Sequence, residues 1–246
     1  VLGHSQGGGA ALYSQALASS YGIEQDLEAV VAFSPGWTAS DELDRTPYAY
    51  PQLISVTQGA GFTTAAWAMA LYADVANNID AQNPGLFFHP DWRESLVTWI
   101  ETRCIYGLAD NLNGLGSEVT LANIADPDFL EGVRSCLDET PSCVEPYAGF
   151  VDRQRARFIP PDPHGGPILY VQGMLDIQAT PERTACNLEA MAAEGVTPQT
   201  CVDPDADHWD VVSRNLAVAS TWIRAQLDGT DLPTCEVDAT ELPACE

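Results

Sequence analysis

A serine at position 5, an aspartate at 176 and a histidine at 208 are the side chains of this sequence best placed for acyl-transfer chemistry. Ser5 lies in Gly3-His4-Ser5-Gln6-Gly7, which fits the G-x-S-x-G pattern of a sharp strand-to-helix turn that lifts a hydroxyl above a sheet. Gly3 and Gly7 are expected where a β-carbon on either flank would crowd the neighbouring strand or helix. A hydroxyl is a poor nucleophile until a base takes its proton, and an acid must hold that base in one tautomer. The chain order serine, acid, histidine sends the search to loops at the carboxyl ends of later strands. Asp176 follows the apolar run Ile168 to Gln172 and Gly173, and His208 follows the next strand and precedes a helix. The Gln6 backbone N–H, directly after the nucleophile, is the expected donor to an oxyanion. A second donor normally comes from a loop after an earlier strand, and that strand is not in this chain.

The other polar residues fit this chemistry less well. His4 is expected to pack beside the nucleophile, and His89 and His164 fall in or at the edge of a helical region. Asp203, Asp205 and Asp207 crowd the His208 loop and read as loop-capping or solvated acids. Their "DPDAD" run brushes a calcium-loop pattern, but the turn glycine and the closing glutamate are absent. No C-x-x-C occurs and the histidines are scattered, so neither a metal nor another cofactor is expected.

Local patterns supply the elements that would position these residues. "GGGAALYSQALASSYG" reads as a helix stopped at Gly22, and Leu27 to Phe33 as a buried strand closed by Pro35-Gly36. Strand, turn, helix, strand is the unit of a parallel α/β sheet. From Trp37 to Gly166 the alternation stops, and helical segments are expected near Phe62 to Asn78, Asp91 to Asn111 and Pro127 to Leu137. The "AAWAMALYADVA" stretch is apolar nearly all round, which suits either a buried helix or one facing a lipid-like ligand, with core packing the better fit. The α/β pattern resumes with a strand at Ile168 to Gln172. A helix entered through Thr180-Pro181-Glu182 follows, then a short strand at Gln199 to Val202. A last helix places Val212, Leu216, Ala219, Ile223 and Leu227 on one face before Gly229.

Composition narrows the class further. The 246 residues are 46% hydrophobic and 18% charged, enough for a sizeable core. The longest apolar run, Ala65 to Ala73, is too short to span a bilayer. No signal peptide is visible, an absence without weight if residues precede Val1. Thirty-five acidic against 10 basic residues give a net charge of −25, and every basic residue is an arginine. Such a surface disfavours nucleic acid and anionic membranes as partners. It suits an extracellular monomer kept apart by charge repulsion, or adaptation to salt. Seven cysteines point to an oxidising compartment. Spacing suggests Cys186 with Cys201 and Cys235 with Cys245; Cys104, Cys136 and Cys143 are left as an odd set, one of them free or paired upstream of Val1.

Taken together, "GHSQGGGAA", the break after "VVAFSPGW", "LYVQGMLDIQATPERTACNLEAMAAEG" and "DHWDVVSRNLAVASTWIRAQLDG" resemble the secretory lipase family of α/β-hydrolases, of the Candida lipase A type. The resemblance covers residues 1 to 232 and implies an α/β-hydrolase fold with an inserted helical cap. Residues 1–36 and 167–232 would form the core, 37–166 the cap, and 233–246 a disulfide-tied tail. It implies a secreted serine ester hydrolase with Ser5 as nucleophile, Asp176 as acid, His208 as base and Gln6 as oxyanion donor, acting on a lipid or small ester. Phe62, Trp67, Met69 and Leu71 become candidate acyl-contacting residues, each also readable as plain core. A peptide-cleaving aminopeptidase on the same scaffold, or a non-catalytic binding protein, are the alternatives. Family members carry well over a hundred residues before the serine turn, including several strands, so the chain reads as the C-terminal part of such a protein.

Overall fold

The computed structural model describes residues 1–23, 27–36, 61–115, 121–138, 141–156, 159–235 and 239–245. They fall into two compact units, Val1–Asp41 with Phe158–Glu246, and Glu42–Arg157.

The first unit is built on four parallel strands in the order β1-β2-β3-β4, namely Leu2–His4, Val30–Phe33, Ile168–Gly173 and Gln199–Asp203. Helix α1 (Gln6–Ala16) and the short α2 (Ala18–Tyr21) lie between β1 and β2. Helix α9 (Pro181–Ala193) joins β3 to β4, and α10 (Val211–Asp228) follows β4. Because successive strand residues point to opposite faces, the sheet builds two cores. Val30, Ala32, Ile168 and Tyr170 pack with Ala11 and Leu12 of α1 and Met191 of α9. Val31, Phe33, Leu169, Val171 and Cys201 pack on the other face with Val211, Ala219 and Trp222 of α10. A run apolar on both faces is what a buried parallel strand requires.

Several expectations shift by local detail. The first helix is interrupted at Leu17, and only then does Gly22, at φ 67°, end the segment in the left-handed region. The strand expected from Leu27 begins at Val30. The buried stripe of α10 is Val211, Ala219, Trp222 and Ala225; Leu216 and Leu227 are exposed. The indole sets this rotation: Trp222 is the largest fully buried side chain among the described residues, and its Nε1–H donates to Gln199 Oε1 at 2.9 Å.

The cysteine pairing also differs. The bonds are Cys136–Cys143, Cys186–Cys245 and Cys201–Cys235, with Cys104 free and exposed. Both tail cysteines therefore reach back to the sheet unit and not to each other. The tail runs against β4, where Gln199 Nε2 donates to the Pro233 carbonyl at 2.7 Å, bringing Cys235 beside Cys201.

The second unit contains, among the described residues, helices α3 (Gly61–Asn78), α4 (Pro90–Thr102), α5 (Ile105–Gly114), α6 (Leu121–Ile124), α7 (Pro127–Leu137) and α8 (Tyr147–Arg155). Helix α3 buries Ala65, Ala68, Leu71 and Val75, one stripe at helical spacing. Phe87, Phe129 and Phe150 stack and cross edge-on within the same core. Arg153 reaches buried Asp74 through Nε and Nη2, at 3.2 and 2.8 Å. The single helix expected from Asp91 to Asn111 is broken by extended residues at Arg103 and Cys104. An unbroken helix would turn Leu108 about 120° away from Leu96, yet both are buried in one core. No helix among the described residues is long and apolar enough to cross a membrane.

Candidate active site

At the carboxyl end of β1 the chain turns sharply into α1. Ser5 has φ 55° and ψ −122°, far outside the comfortable region for a side-chain-bearing residue. The turn is held from β2, since Ser5 N–H donates to the Phe33 carbonyl at 3.0 Å and Gly36 N–H donates to the Ser5 carbonyl at 2.8 Å. A β-carbon on Gly3 would overlap the Gly7 carbonyl, so the first glycine of the motif is sterically obligatory. Gly7 differs: a β-carbon there meets nothing within 4 Å among the described residues. The close approach expected of Gly7 belongs instead to Gly8, whose β-carbon would sit 3.0 Å from Pro35 and 3.1 Å from the Phe33 carbonyl.

Asp176 and His208 come to this serine from the ends of β3 and β4. The loop after β3 turns so that Asp176 Oδ1 accepts from the N–H groups of Gln178 and Ala179, at 2.8 and 2.9 Å. Its Oδ2 lies 2.8 Å from His208 Nδ1, and His208 Nε2 lies 2.9 Å from Ser5 Oγ. Asp176 and His208 are both buried, at 2% and 4% exposure, so the bonds between them are sheltered from competing water. An ionised carboxylate only accepts, which fixes the proton of a neutral imidazole on Nδ1 and leaves the Nε2 lone pair facing the hydroxyl. The Gln6 N–H opens α1 and makes no hydrogen bond among the described residues. It is one of the free donors every helix start presents.

The base loop has its own clamps. Asp207 Oδ1 accepts from the N–H groups of Trp209 and Asp210, while Asp210 Oδ1 accepts from Asp207 N–H at 2.8 Å. These backbone bonds hold the Asp207 carboxyl below its ordinary pKa. Asp203 is likewise held low, first by Arg214, whose Nε and Nη2 donate at 2.9 and 3.0 Å, and then by Asn215. Two features of the site have no counterpart in the sequence patterns. Ser34, buried at φ 38° beside the turn, has a hydroxyl without a partner among the described residues, and the His4 ring meets the His208 main chain. The Asp207-x-x-Asp210 spacing was a readable capping signal; nothing local announced the other two.

The proposed acyl-contacting residues belong to the helical unit. Leu71 is buried in its core, Trp67 and Met69 pack half-buried against that core, and the Phe62 side chain lies outside the described residues.

Comparison with solved structures identifies the architecture. Candida antarctica lipase A in its closed state superposes with a TM-score of 0.66 at 15% identity, covering 99% of this chain and 53% of the other. A ligand-bound rice cell wall degrading esterase from Xanthomonas oryzae gives 0.57 at 17% identity, over 94% of this chain and 58% of the other. The fold is a partial α/β-hydrolase fold. This chain spans a little over half the length of those two structures. No protein-family model and no curated protein matches the sequence.

Proposed function

We propose that this chain carries the nucleophile, acid and base of a secreted serine hydrolase that cleaves carboxylic esters through an acyl-enzyme. One observation supports the reading above the rest: the unbroken series Asp176–His208–Ser5, at 2.8 and 2.9 Å, on a turn that only a glycine at position 3 allows.

In this mechanism His208 Nε2 takes the Ser5 proton as Oγ bonds to the ester carbonyl carbon. Asp176 stabilises the imidazolium that forms, without itself taking the proton. The Gln6 N–H donates to the developing oxyanion, a contribution worth about 3 kcal/mol for one well-aimed donor. His208 then returns the proton to the departing alcohol. A water molecule, deprotonated by the same imidazole, releases the acid and restores Ser5.

The named neighbours are a lipase and an esterase, which favours esters over peptides as substrates. Three disulfides favour an extracellular setting. The acidic surface favours uncharged esters over anionic ones, and a monomer.

The test is hydrolysis of p-nitrophenyl esters from acetate to palmitate, with aminoacyl p-nitroanilides alongside. The expected result is ester turnover that disappears in Ser5→Ala. Turnover of the anilides alone, or equal ester turnover by Ser5→Ala, would overturn the proposal.

A further inference from the structure

His4 is separated from His208 by 204 positions in sequence, yet its Nε2 lies 2.6 Å from the His208 carbonyl oxygen. The two rings are 4.8 Å apart, centre to centre, and tilted by 46°. A carbonyl can only accept, so His4 carries its proton on Nε2 and donates. Among the described residues this is the one hydrogen bond made by the His208 main chain. The neighbouring anchors act on other positions: Leu175 N–H donates to the Ala206 carbonyl, and Asp207 and Asp210 cap one another.

We infer that His4 is a positioning residue: its Nε2–H fixes the main chain of His208, and with it the imidazole that bridges Ser5 and Asp176. His4 ends β1, and its backbone leads directly into the nucleophile, so one residue ties the serine turn to the loop bearing the base. Nucleophile and base arrive from strands at opposite edges of the described sheet, β1 and β4. The strands align them along the sheet; the His4 bond joins their loops directly. Burial lowers the His4 pKa, which favours the neutral ring. A neutral ring keeps the donor while adding no second positive charge beside an imidazolium forming at His208.

The catalytic consequence rests on the hydrolase reading; the anchor itself does not. The test therefore uses two readouts on the whole chain. The first is solvent exchange of the proton between His208 Nδ1 and Asp176 Oδ2, followed by NMR. The second is the rate at which a fluorophosphonate modifies Ser5. His4→Gln keeps an N–H at the reach of Nε2, His4→Met matches its length without a donor, and His4→Phe fills the ring volume without one. The inference expects His4→Gln within about threefold of the parent by both readouts. It expects each donor-less variant that stays folded by circular dichroism to exchange that proton at least about tenfold faster. In those variants Ser5 labelling should slow by about 10- to 100-fold, the range a small misplacement of a catalytic group produces. Parent-like values in a donor-less variant, or equal losses in His4→Gln and His4→Met, would overturn it. So would absence of the shared proton from the parent chain. If the exchange pattern holds but the parent never labels at Ser5, the anchor stands and the hydrolase reading falls.

Discussion

In the sheet unit, neighbouring residues of β2 and β3 go to opposite cores, and the strand ends carry Ser5, Asp176 and His208 to one point. In the helical unit, α3 to α8 share a single core, stacked around Phe87, Phe129 and Phe150, and its polar focus is the Asp74–Arg153 pair. The first arrangement concentrates consequence in a few atoms; the second spreads it over many contacts. The cystines follow the same division. The sheet unit closes separations of 59 and 34 residues, while the helical unit closes one of 7.

That contrast breaks most sharply at the acid. Asp176→Asn keeps an oxygen for the Gln178 and Ala179 amides but favours the wrong imidazole tautomer. Ester turnover should fall about 10⁴-fold with the far-ultraviolet circular dichroism unchanged. Next in size is Gly3→Ala, whose new methyl overlaps the Gly7 carbonyl; urea titration should show a loss of about 4 kcal/mol or an unfolded chain. Removing Cys186–Cys245 by paired serine substitution should cost about 4 kcal/mol, against about 2 kcal/mol for Cys136–Cys143, on loop-closure entropy. Equal costs would mean that the two units do not differ in this way.

The smaller effects sharpen the picture at the base loop and the turn. Asp203 has a folded pKa below its ordinary 3.8, chiefly through Arg214. Its stabilisation is therefore complete above that value and is lost as pH falls through the folded pKa. Asp203→Asn should lower the thermal midpoint at pH 7 and leave a shallower decline below about pH 4. Gly7→Ala should be the mildest, neutral or stabilising by about 0.5 kcal/mol, because a helix gains from the exchange where space is open. A cost as large as that of Gly3→Ala would contradict the geometry.

How much of this the sequence announced follows the same lines. Ser5, Asp176 and His208 were legible because each sits where an apolar run ends and a helix begins, and such punctuation is local. The Gly3 constraint was legible for the same reason. The expectation at Gly7 differs from the structure because the spacing that marks the motif does not say which flank touches the strand; Pro35 meets Gly8 instead. The buried face of α10 lies one step round from its aliphatic stripe, since a single buried indole with a hydrogen-bond partner outweighs the count of aliphatic residues. The cysteine pairing has a tertiary cause: the tail returns along β4, and nothing in the spacing of 186, 201, 235 and 245 encodes that path. The His4 anchor joins residues 204 apart through a main-chain carbonyl, a contact invisible to any pattern of side chains.

The central claim is that Ser5, His208 and Asp176 form a working nucleophile, and covalent labelling asks this directly. The whole chain would be treated with a fluorophosphonate and the modified peptide mapped by mass spectrometry, with Ser5→Ala beside it. The account predicts a single adduct on Ser5, absent from Ser5→Ala and strongly slowed in Asp176→Asn. A chain that is folded by circular dichroism yet takes no label, or takes it on another serine, would contradict it.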